Sequence, residues 1–437
     1  MNKVSERGTS IMSVAMSSRD GPELVDTSAA DIMTPGVTIT PDHEIEAVYE
    51  VERCRAWIQQ KSLAKVALQF PDHLLPDSAL VTARLQARVG AGVRLYILGD
   101  TTYGQCCVDE IAAEHVSAEA VIHFGPTCLT ATCRLPALWI FTRKSCDTSR
   151  LEEAIRDKAR DVSSPVVLLY DVEYDHILRD FSLDGISLVV GRCDLWENSE
   201  GKLRKFGRTF DSESEEELNK GLVIYVGTGE SSLMNFIYSW PEADFFVFEN
   251  DSLVPANISI GKFLMKRYFL VEKAKDAERV GLLVGTLGTE RYTDIIERVK
   301  TTGKSANKKV YVFLVGKPNV AKLANFPEID VYVLVACPET SLIDSKEFLQ
   351  PIVTPYEFEL ACNKRTQWAG KLLTDYKDVL VMETIPRVKA ADGDSALESD
   401  EEEGDMSLIT GKIRASCNTG VSEGEGQLSV INDKTIR

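Results

Sequence analysis

The amino-acid sequence predicts an α/β protein of several domains, each built on a parallel sheet. Two patterns carry that expectation. From about Glu44 onward, short runs rich in β-branched residues alternate with amphipathic stretches, as strands do when helices return the chain between them. Two distant parts of the chain also repeat one β-α-β-α-β scheme. KVALQF, VRLYILGD and AVIHFGPTC in the first part correspond to VGLLVG, KVYVFLVG and VYVLVAC in the second. With 437 residues and 44% apolar content, the chain is long enough for two or three buried cores.

The first domain is expected over residues 43–147. It opens with a helix over Glu44–Lys61, followed by a strand, Lys65–Phe70, that Pro71-Asp72 breaks. Leu80, Ala83, Leu85 and Ala87 give Pro76–Arg88 a helical spacing. Val93–Leu98 is the second strand and ends at Gly99-Asp100. A short helix over Val108–Val116 leads to the third strand, Ala120–Phe124, which stops at Gly125-Pro126, and Ala137–Phe141 closes the sheet. The second domain, 148–257, starts with a helix over Leu151–Asp161. Its strands are expected at Val166–Tyr170, Ile186–Val190, Leu222–Val226 and Phe245–Phe248. A long helix over Ile258–Ala277 links into the third domain, 258–388. There, strands at Val280–Val284, Lys309–Val315 and Val331–Val335 enclose helices at Tyr292–Thr301 and Val320–Ala324.

The two ends read differently. Residues 1–42, rich in Ser, Thr, Met and Pro, are expected to form a disordered arm, and residues 389–437 a disordered acidic tail. From Ala391 to Arg437 there are 11 acidic and 4 basic residues, a net −7 of the chain's −18. That balance speaks against a nucleic-acid binder, which needs clustered Lys and Arg against phosphate. No signal-peptide pattern occurs, and no apolar run reaches the length of a membrane span, so a soluble, cytoplasmic protein with no membrane partner is expected.

Ten cysteines in a reducing compartment are not expected to form structural disulfides. Their positions matter more than their number. Cys128 and Cys337 each follow the third strand of the repeated scheme, and ligands of open parallel sheets gather beyond the carboxyl ends of strands. Cys106-Cys107 follows the second strand through a turn and is expected to open the helix near Val108, where a helix N-terminus would lower a thiol pKa. Three thiolates from two domains can meet at a cleft; on a four-iron cluster, three leave one iron open and four saturate it. Zinc is the inorganic competitor. Structural zinc favours C-x2-C pairs, of which there are none, and Cys128-x4-Cys133 is the nearest approach. Spacing alone leaves cluster and zinc open. Cys54, Cys133, Cys146, Cys193, Cys362 and Cys417 read as inert, although Cys362 follows Cys337 within one domain.

Three other features have competing readings. The segment Gly227–Ser232, after a strand, can cradle a carboxylate or phosphate with backbone N–H groups. It lacks the third glycine of a dinucleotide fingerprint, so an ordinary tight turn is the stronger reading. His123, inside a strand, reads as a hydrogen-bonded core residue. Asp100 and Asp109 flank the tandem cysteines, and Asp109 reads as a first-turn carboxylate that complements a helix dipole. No Ser-His-Asp, HExxH or P-loop arrangement is present.

Longer strings narrow the reading. GDTTYGQCCVDE, from Gly99 to Glu110, followed by AEHVSAEAVIHFGPTCL, resembles the diphthamide synthesis family. So do GLLVGTLG, GKPNVAKLANFPEIDVYVLVACPE and FLQPIVTPYEFELA, and the resemblance runs from about Val48 to Leu380. It implies three Rossmann-like domains with parallel sheets around a central cleft. It also implies chemistry on one histidine of translation elongation factor 2, to which a 3-amino-3-carboxypropyl group passes from S-adenosylmethionine. In that family a reduced [4Fe-4S] cluster cleaves an S–C bond to give a carbon radical, and eukaryotes use a heterodimer of a first and a second subunit.

Carried onto this chain, the first-domain ligand falls on the Cys106-Cys107 pair and the third-domain ligand on Cys337. The catalytic type has a cysteine in its second domain. Here Phe206-Gly207-Arg208-Thr209-Phe210 stands in that place without a thiol, and the second-subunit type has a cysteine at Cys128 instead. The implied ligands are Cys107, Cys128 and Cys337, with Cys106 as the alternative to Cys107. The implied role is support of the first, catalytic subunit by assembly and electron relay, fed by an electron-donating accessory protein. A structural scaffold with inert cysteines is the alternative, and the missing second-domain cysteine speaks against a self-sufficient homodimer.

Overall fold

The computed structural model describes residues 39–99, 105–160, 164–193, 202–256, 260–343, 345–363, 365–368, 370–382, 407–409 and 411. The expected N-terminal arm up to residue 38, the acidic run 392–405, Asp100 and Cys417 lie outside these residues. The chain divides into two units, Met1–Pro386 and Arg387–Arg437. In the second, the described residues make one turn, in which the Gly411 N–H donates to the Ser407 carbonyl at 2.9 Å.

The first stretch contains α1 (Ile45–Val48), α2 (Val51–Gln60), β1 (Lys65–Gln69), α3 (Leu75–Val89), β2 (Arg94–Leu98), α4 (Glu110–His115), β3 (Ala120–Phe124) and β4 (Ala137–Ile140). The single opening helix expected from the sequence is broken at Glu50, whose φ is +44°. Tertiary contacts override helix propensity there. Tyr49 turns into the core and donates from its hydroxyl to Asp77 at 2.7 Å, while Arg53 and Arg143 hold the Glu50 carboxylate. All four strands are parallel, in the order β2-β1-β3-β4.

The second stretch runs through α5 (Thr148–Ala159), β5 (Val166–Tyr170), α6 (Asp175–Leu178), β6 (Leu188–Val190), β7 (Arg192–Cys193), β8 (Leu203–Lys205), β9 (Arg208–Phe210), α7 (Glu215–Asn219), β10 (Leu222–Val226), α8 (Glu230–Ser239), β11 (Asp244–Glu249) and β12 (Ser252–Pro255). Helix α5 begins before the expected Leu151 because the Asp147 carboxylate caps it, accepting from the Ser149 and Arg150 N–H groups. A five-stranded sheet has the order β12-β11-β10-β5-β6, with only β12 antiparallel. Strands β7, β9 and β8 form a separate antiparallel sheet that the sequence reading did not anticipate. Its strands are two or three residues long, too short to show periodicity.

The third stretch comprises α9 (Ile260–Asp276), β13 (Arg279–Val284), α10 (Tyr292–Ser305), β14 (Lys309–Phe313), α11 (Val320–Ala324), β15 (Val331–Val335), β16 (Ile352–Val353), α12 (Pro355–Cys362) and α13 (Tyr376–Val381). Its parallel sheet has the order β14-β13-β15-β16, the same arrangement as the first. The repeated scheme in the sequence is therefore a repeated strand order. The architecture is mixed α/β with several parallel sheets, and among the described residues no helix is long and apolar enough to cross a membrane.

Strands β3, β5, β10 and β15 are buried along their whole length, as parallel strands covered on both faces must be. One core joins the second and third stretches, packing Phe210, Phe236 and Trp240 with Leu270, Val280 and Phe358. Helix α12 lies inside it and carries two buried carboxylates. The Arg267 guanidinium of α9 meets Glu357 through Nε at 2.5 Å, and Arg298 of α10 meets Glu359 through Nε at 2.7 Å. Glu357 also closes a capping box with Thr354, accepting from its N–H at 2.7 Å. Glu357→Ala strands the Arg267 charge in the interior and should cost about 3–5 kcal/mol of unfolding free energy by denaturant titration. A loss under about 1 kcal/mol would show that the pair is not needed.

Candidate metal centre

Four cysteines from remote parts of the chain come together at strand ends. Cys106 and Cys107 lie in the turn before α4, Cys128 lies in the loop after β3, and Cys337 lies two residues past the end of β15. The Sγ atoms of Cys106 and Cys337 are 3.6 Å apart, those of Cys107 and Cys128 are 3.6 Å apart, and those of Cys106 and Cys107 are 3.9 Å apart. All four sulfurs lie within 4.8 Å of one another. Cys337 is 0% and Cys128 6% exposed, while the tandem pair is half-buried. The Cys106 and Cys107 sulfurs thus both lie in this group.

The electrostatics differ from the expectation. Helix α4 starts at Glu110, and the Asp109 carboxylate caps it, accepting from the Ala112 N–H at 2.9 Å. The tandem cysteines sit ahead of that cap, outside the helix's first turn. Contacts with the Cys107, Cys128 and Cys337 sulfurs, then burial, raise the Cys106 thiol well above its ordinary range. Cys107 also rises; contact with Cys106 pulls it down, but Cys128, Cys337 and burial outweigh that pull. Cys337 moves the other way, held well below the usual thiol range by hydrogen bonds with Cys106, Cys107 and Cys128 and then with the Thr340 hydroxyl at 3.2 Å. The nest therefore favours the thiolate at Cys337 and disfavours it at Cys106 and Cys107. A bound cation removes the remaining protons.

Polar side chains hold the loops in place. The Glu110 carboxylate accepts from the N–H groups of Cys133, Arg134 and Leu135 at 3.3, 2.6 and 2.7 Å. A β-bridge between Thr132 and Thr289 and a hydrogen bond from the Cys133 thiol to the Gly288 carbonyl (3.8 Å) tie this loop to the one after β13. The Cys128 N–H donates to the Cys106 carbonyl at 3.2 Å. Gln69, whose side-chain amide bonds the Cys107 carbonyl and the Asp109 N–H, and Glu110 are both absent from the candidate residues of the sequence. The available signal was a polar residue closing an apolar strand, KVALQ.

The second stretch contributes the turn between β8 and β9. Gly207, with φ +69°, brings it against Leu129, whose carbonyl oxygen would lie 2.6 Å from any added Cβ. Arg208 is buried there, donating to the carbonyls of Gly191 (3.2 Å) and Tyr170 and to the Cys193 sulfur at 3.3 Å. A small cavity is lined by Cys128, Arg208, Asn235 and Glu339. Burial, followed by the negative charge of Cys337, pushes the Glu339 carboxyl up to about 8. A cavity of about 770 Å³ adjoins it, with Tyr225, Asn235, Tyr238, Phe263 and Pro338 in its walls.

The anion cradle read at Gly227–Ser232 exists and is filled by the chain itself. The Thr228 and Gly229 N–H groups donate to one oxygen of Asp171 at 2.7 and 3.0 Å, and the Tyr225 hydroxyl donates to the other. The remaining cysteines described in the structure stay apart from the four. Burial pushes Cys54, Cys193 and Cys362 up to about 12, and it also raises Cys133 and Cys146. His123 is 0% exposed, with Nε2 3.0 Å from the Pro126 carbonyl.

Fold and site together define an α/β protein whose parallel sheets converge on a buried group of four cysteines. A family model described as "Putative diphthamide synthesis protein" matches residues 70–373, and the chain belongs to that family. It is 41% identical over 423 residues to 2-(3-amino-3-carboxypropyl)histidine synthase subunit 2 of Danio rerio, covering 91% of this chain and 84% of the relative. It is 34% identical over 426 residues to the subunit of the same name from Homo sapiens, covering 91% and 85%. Among solved structures, it is similar to Dph2 from Pyrococcus horikoshii with a 4Fe-4S cluster, at a TM-score of 0.57 and 19% identity over 73% of this chain and 92% of that one.

Burial, partly opposed by the hydrogen bond to the Pro126 carbonyl, brings the His123 imidazole from 6.5 down to about 4. The folded chain then binds fewer protons than the unfolded chain between those values, so stability is full above pH 6.5 and falls as the pH drops toward 4. That difference corresponds to roughly 3 kcal/mol. His123→Asn should flatten the curve of unfolding free energy against pH in this window. An unchanged slope would assign the acid sensitivity to other groups.

Proposed function

We propose that this chain is the iron–sulfur subunit of a heterodimeric enzyme that transfers a 3-amino-3-carboxypropyl group from S-adenosylmethionine to a histidine of translation elongation factor 2. The relatives' shared name supports the reaction and the subunit role, and the archaeal neighbour, solved with a 4Fe-4S cluster, supports the cofactor. The observation that carries the reading is the meeting of four sulfurs from positions 106, 107, 128 and 337 within 4.8 Å. Nothing in a reducing compartment gathers unpaired thiols so closely as a soft metal does. In this reading residues 43–147, 148–257 and 258–388 are three Rossmann-like domains around a central cleft, flanked by a disordered arm and a disordered acidic tail, in a cytoplasmic protein.

Cys106, Cys107, Cys128 and Cys337 would hold the cluster, which when bound supplies one-electron chemistry. Four thiolates saturate four irons, leaving none open to a sulfonium. Arg208, buried at the segment where a catalytic subunit of the family carries its cysteine, fits the same assignment. The chain's part is then to hold the first subunit and to relay electrons to it from an electron-donating accessory protein.

The sulfur spacing favours a second reading as well. Ligands about 2.3 Å from a single tetrahedral zinc stand roughly 3.8 Å apart, close to the 3.6–3.9 Å contacts found here. Metal and labile-sulfide counts on the heterodimer, purified without oxygen, decide between them. Four irons per copy of this chain, largely lost in Cys128→Ala and Cys337→Ala together with transfer activity, are expected. One zinc without sulfide overturns the cluster. Unchanged metal content and activity in both variants leave a structural scaffold with inert cysteines. Transfer by this chain alone would overturn the supporting role.

A further inference from the structure

Gln69 closes β1, the strand between β2 and β3, and is 0% exposed. Its Nε2 donates to the Cys107 carbonyl at 2.8 Å, and its Oε1 accepts from the Asp109 N–H at 2.8 Å. One amide thus satisfies backbone groups on both sides of Val108, as a neighbouring strand would. The residue type is well matched to the task. A glutamate of the same length has no donor for the carbonyl unless protonated, an asparagine is one methylene shorter, and a leucine leaves both backbone groups without a partner.

This clamp acts where the tandem cysteines need it. Adjacent side chains of an extended chain point to opposite sides. The Cys106 and Cys107 sulfurs instead lie 3.9 Å apart in one nest, so the backbone carrying them is bent out of the extended form. A bent segment has no ladder partners, and its buried polar groups must be satisfied by side chains or by other loops. Gln69 meets that need after the bend, and the Cys128 N–H meets it at the Cys106 carbonyl.

We propose that Gln69 is a positioning residue that lets both tandem cysteines face the same centre, and so sets four, not three, thiolates on the bound metal. This rests on the reading of these cysteines as ligands of an iron–sulfur cluster. Without the clamp the 106–109 backbone relaxes, one of the two sulfurs turns away, and one iron becomes open. The difference is visible apart from catalysis, because an added ligand such as imidazole can bind an iron that lacks a protein ligand.

The test uses the full-length chain purified without oxygen, as wild type, Gln69→Leu, Gln69→Glu and Cys106→Ala, the last serving as a reference for three thiolates. Low-temperature electron spin resonance of the reduced protein is recorded with and without imidazole, and iron loss to a chelator is timed. The wild-type spectrum should ignore imidazole. Gln69→Leu should respond as Cys106→Ala does and lose iron roughly 10- to 100-fold faster, the usual effect of removing a group that orients a ligand. Gln69→Glu keeps the acceptor for Asp109, should fall between the two, and carries the test if Gln69→Leu fails to fold by circular dichroism. A folded Gln69 variant with the wild-type spectrum, indifference to imidazole and wild-type iron loss overturns the proposal. So does a wild-type spectrum that already responds to imidazole. A wild-type chain without an iron–sulfur cluster is a separate failure, that of the functional reading.

Discussion

Four sulfur atoms within 4.8 Å of one another in a half-buried nest cannot all be charged without a counter-ion, and that electrostatic constraint organises the residues around them. The fold favours negative charge on Cys337, beside the three other sulfurs and the Thr340 hydroxyl, and disfavours it on Cys106 and Cys107. Such a group, drawn from remote parts of the chain, exists only if its loops are held in place. Buried side chains do the holding: Gln69 under the tandem pair, Glu110 under the loop at 133–135, and Asp109 at the start of α4.

The same constraint reaches through the rest of the unit. Two of the contributing loops follow strands of the first sheet and one follows the third, so the site exists only while those sheets keep their relative position. The Thr132–Thr289 bridge fixes that position next to the site. Farther away, the core joining the second and third stretches, with its two buried Arg–Glu pairs on α12, fixes the frame to which Cys337 belongs. The second stretch adds no sulfur to the group. It brings the buried Arg208 guanidinium to the same small cavity as Cys128 and Glu339, and it closes its own anion cradle with Asp171.

Much of this was legible in advance. Ala120–Phe124, Val166–Tyr170, Leu222–Val226 and Val331–Val335 are strands at the residues expected, because a parallel strand buried on both faces is a continuous apolar run with sharp ends. Elements ruled by contacts from elsewhere were missed. The break at Glu50 follows from Tyr49 reaching Asp77, and the sheet β7-β9-β8 consists of strands too short to leave a pattern. Helix α12 hides its role because its charged positions, Glu357 and Glu359, are buried against arginines from two other helices.

Sequence by itself determined where the buried strands lie and that the first and third parts repeat one β-α-β-α-β scheme, and hence which cysteines lie beyond carboxyl ends. Those follow from local apolar pattern and turn chemistry, which a linear chain carries in full. Only the tertiary structure decided that Cys106 and Cys107 enter the group together, that Asp171 fills the cradle, and that Gln69 clamps the loop. Each of these depends on distances between residues remote in sequence. Such distances are set by how helices and sheets pack, and no local pattern encodes them.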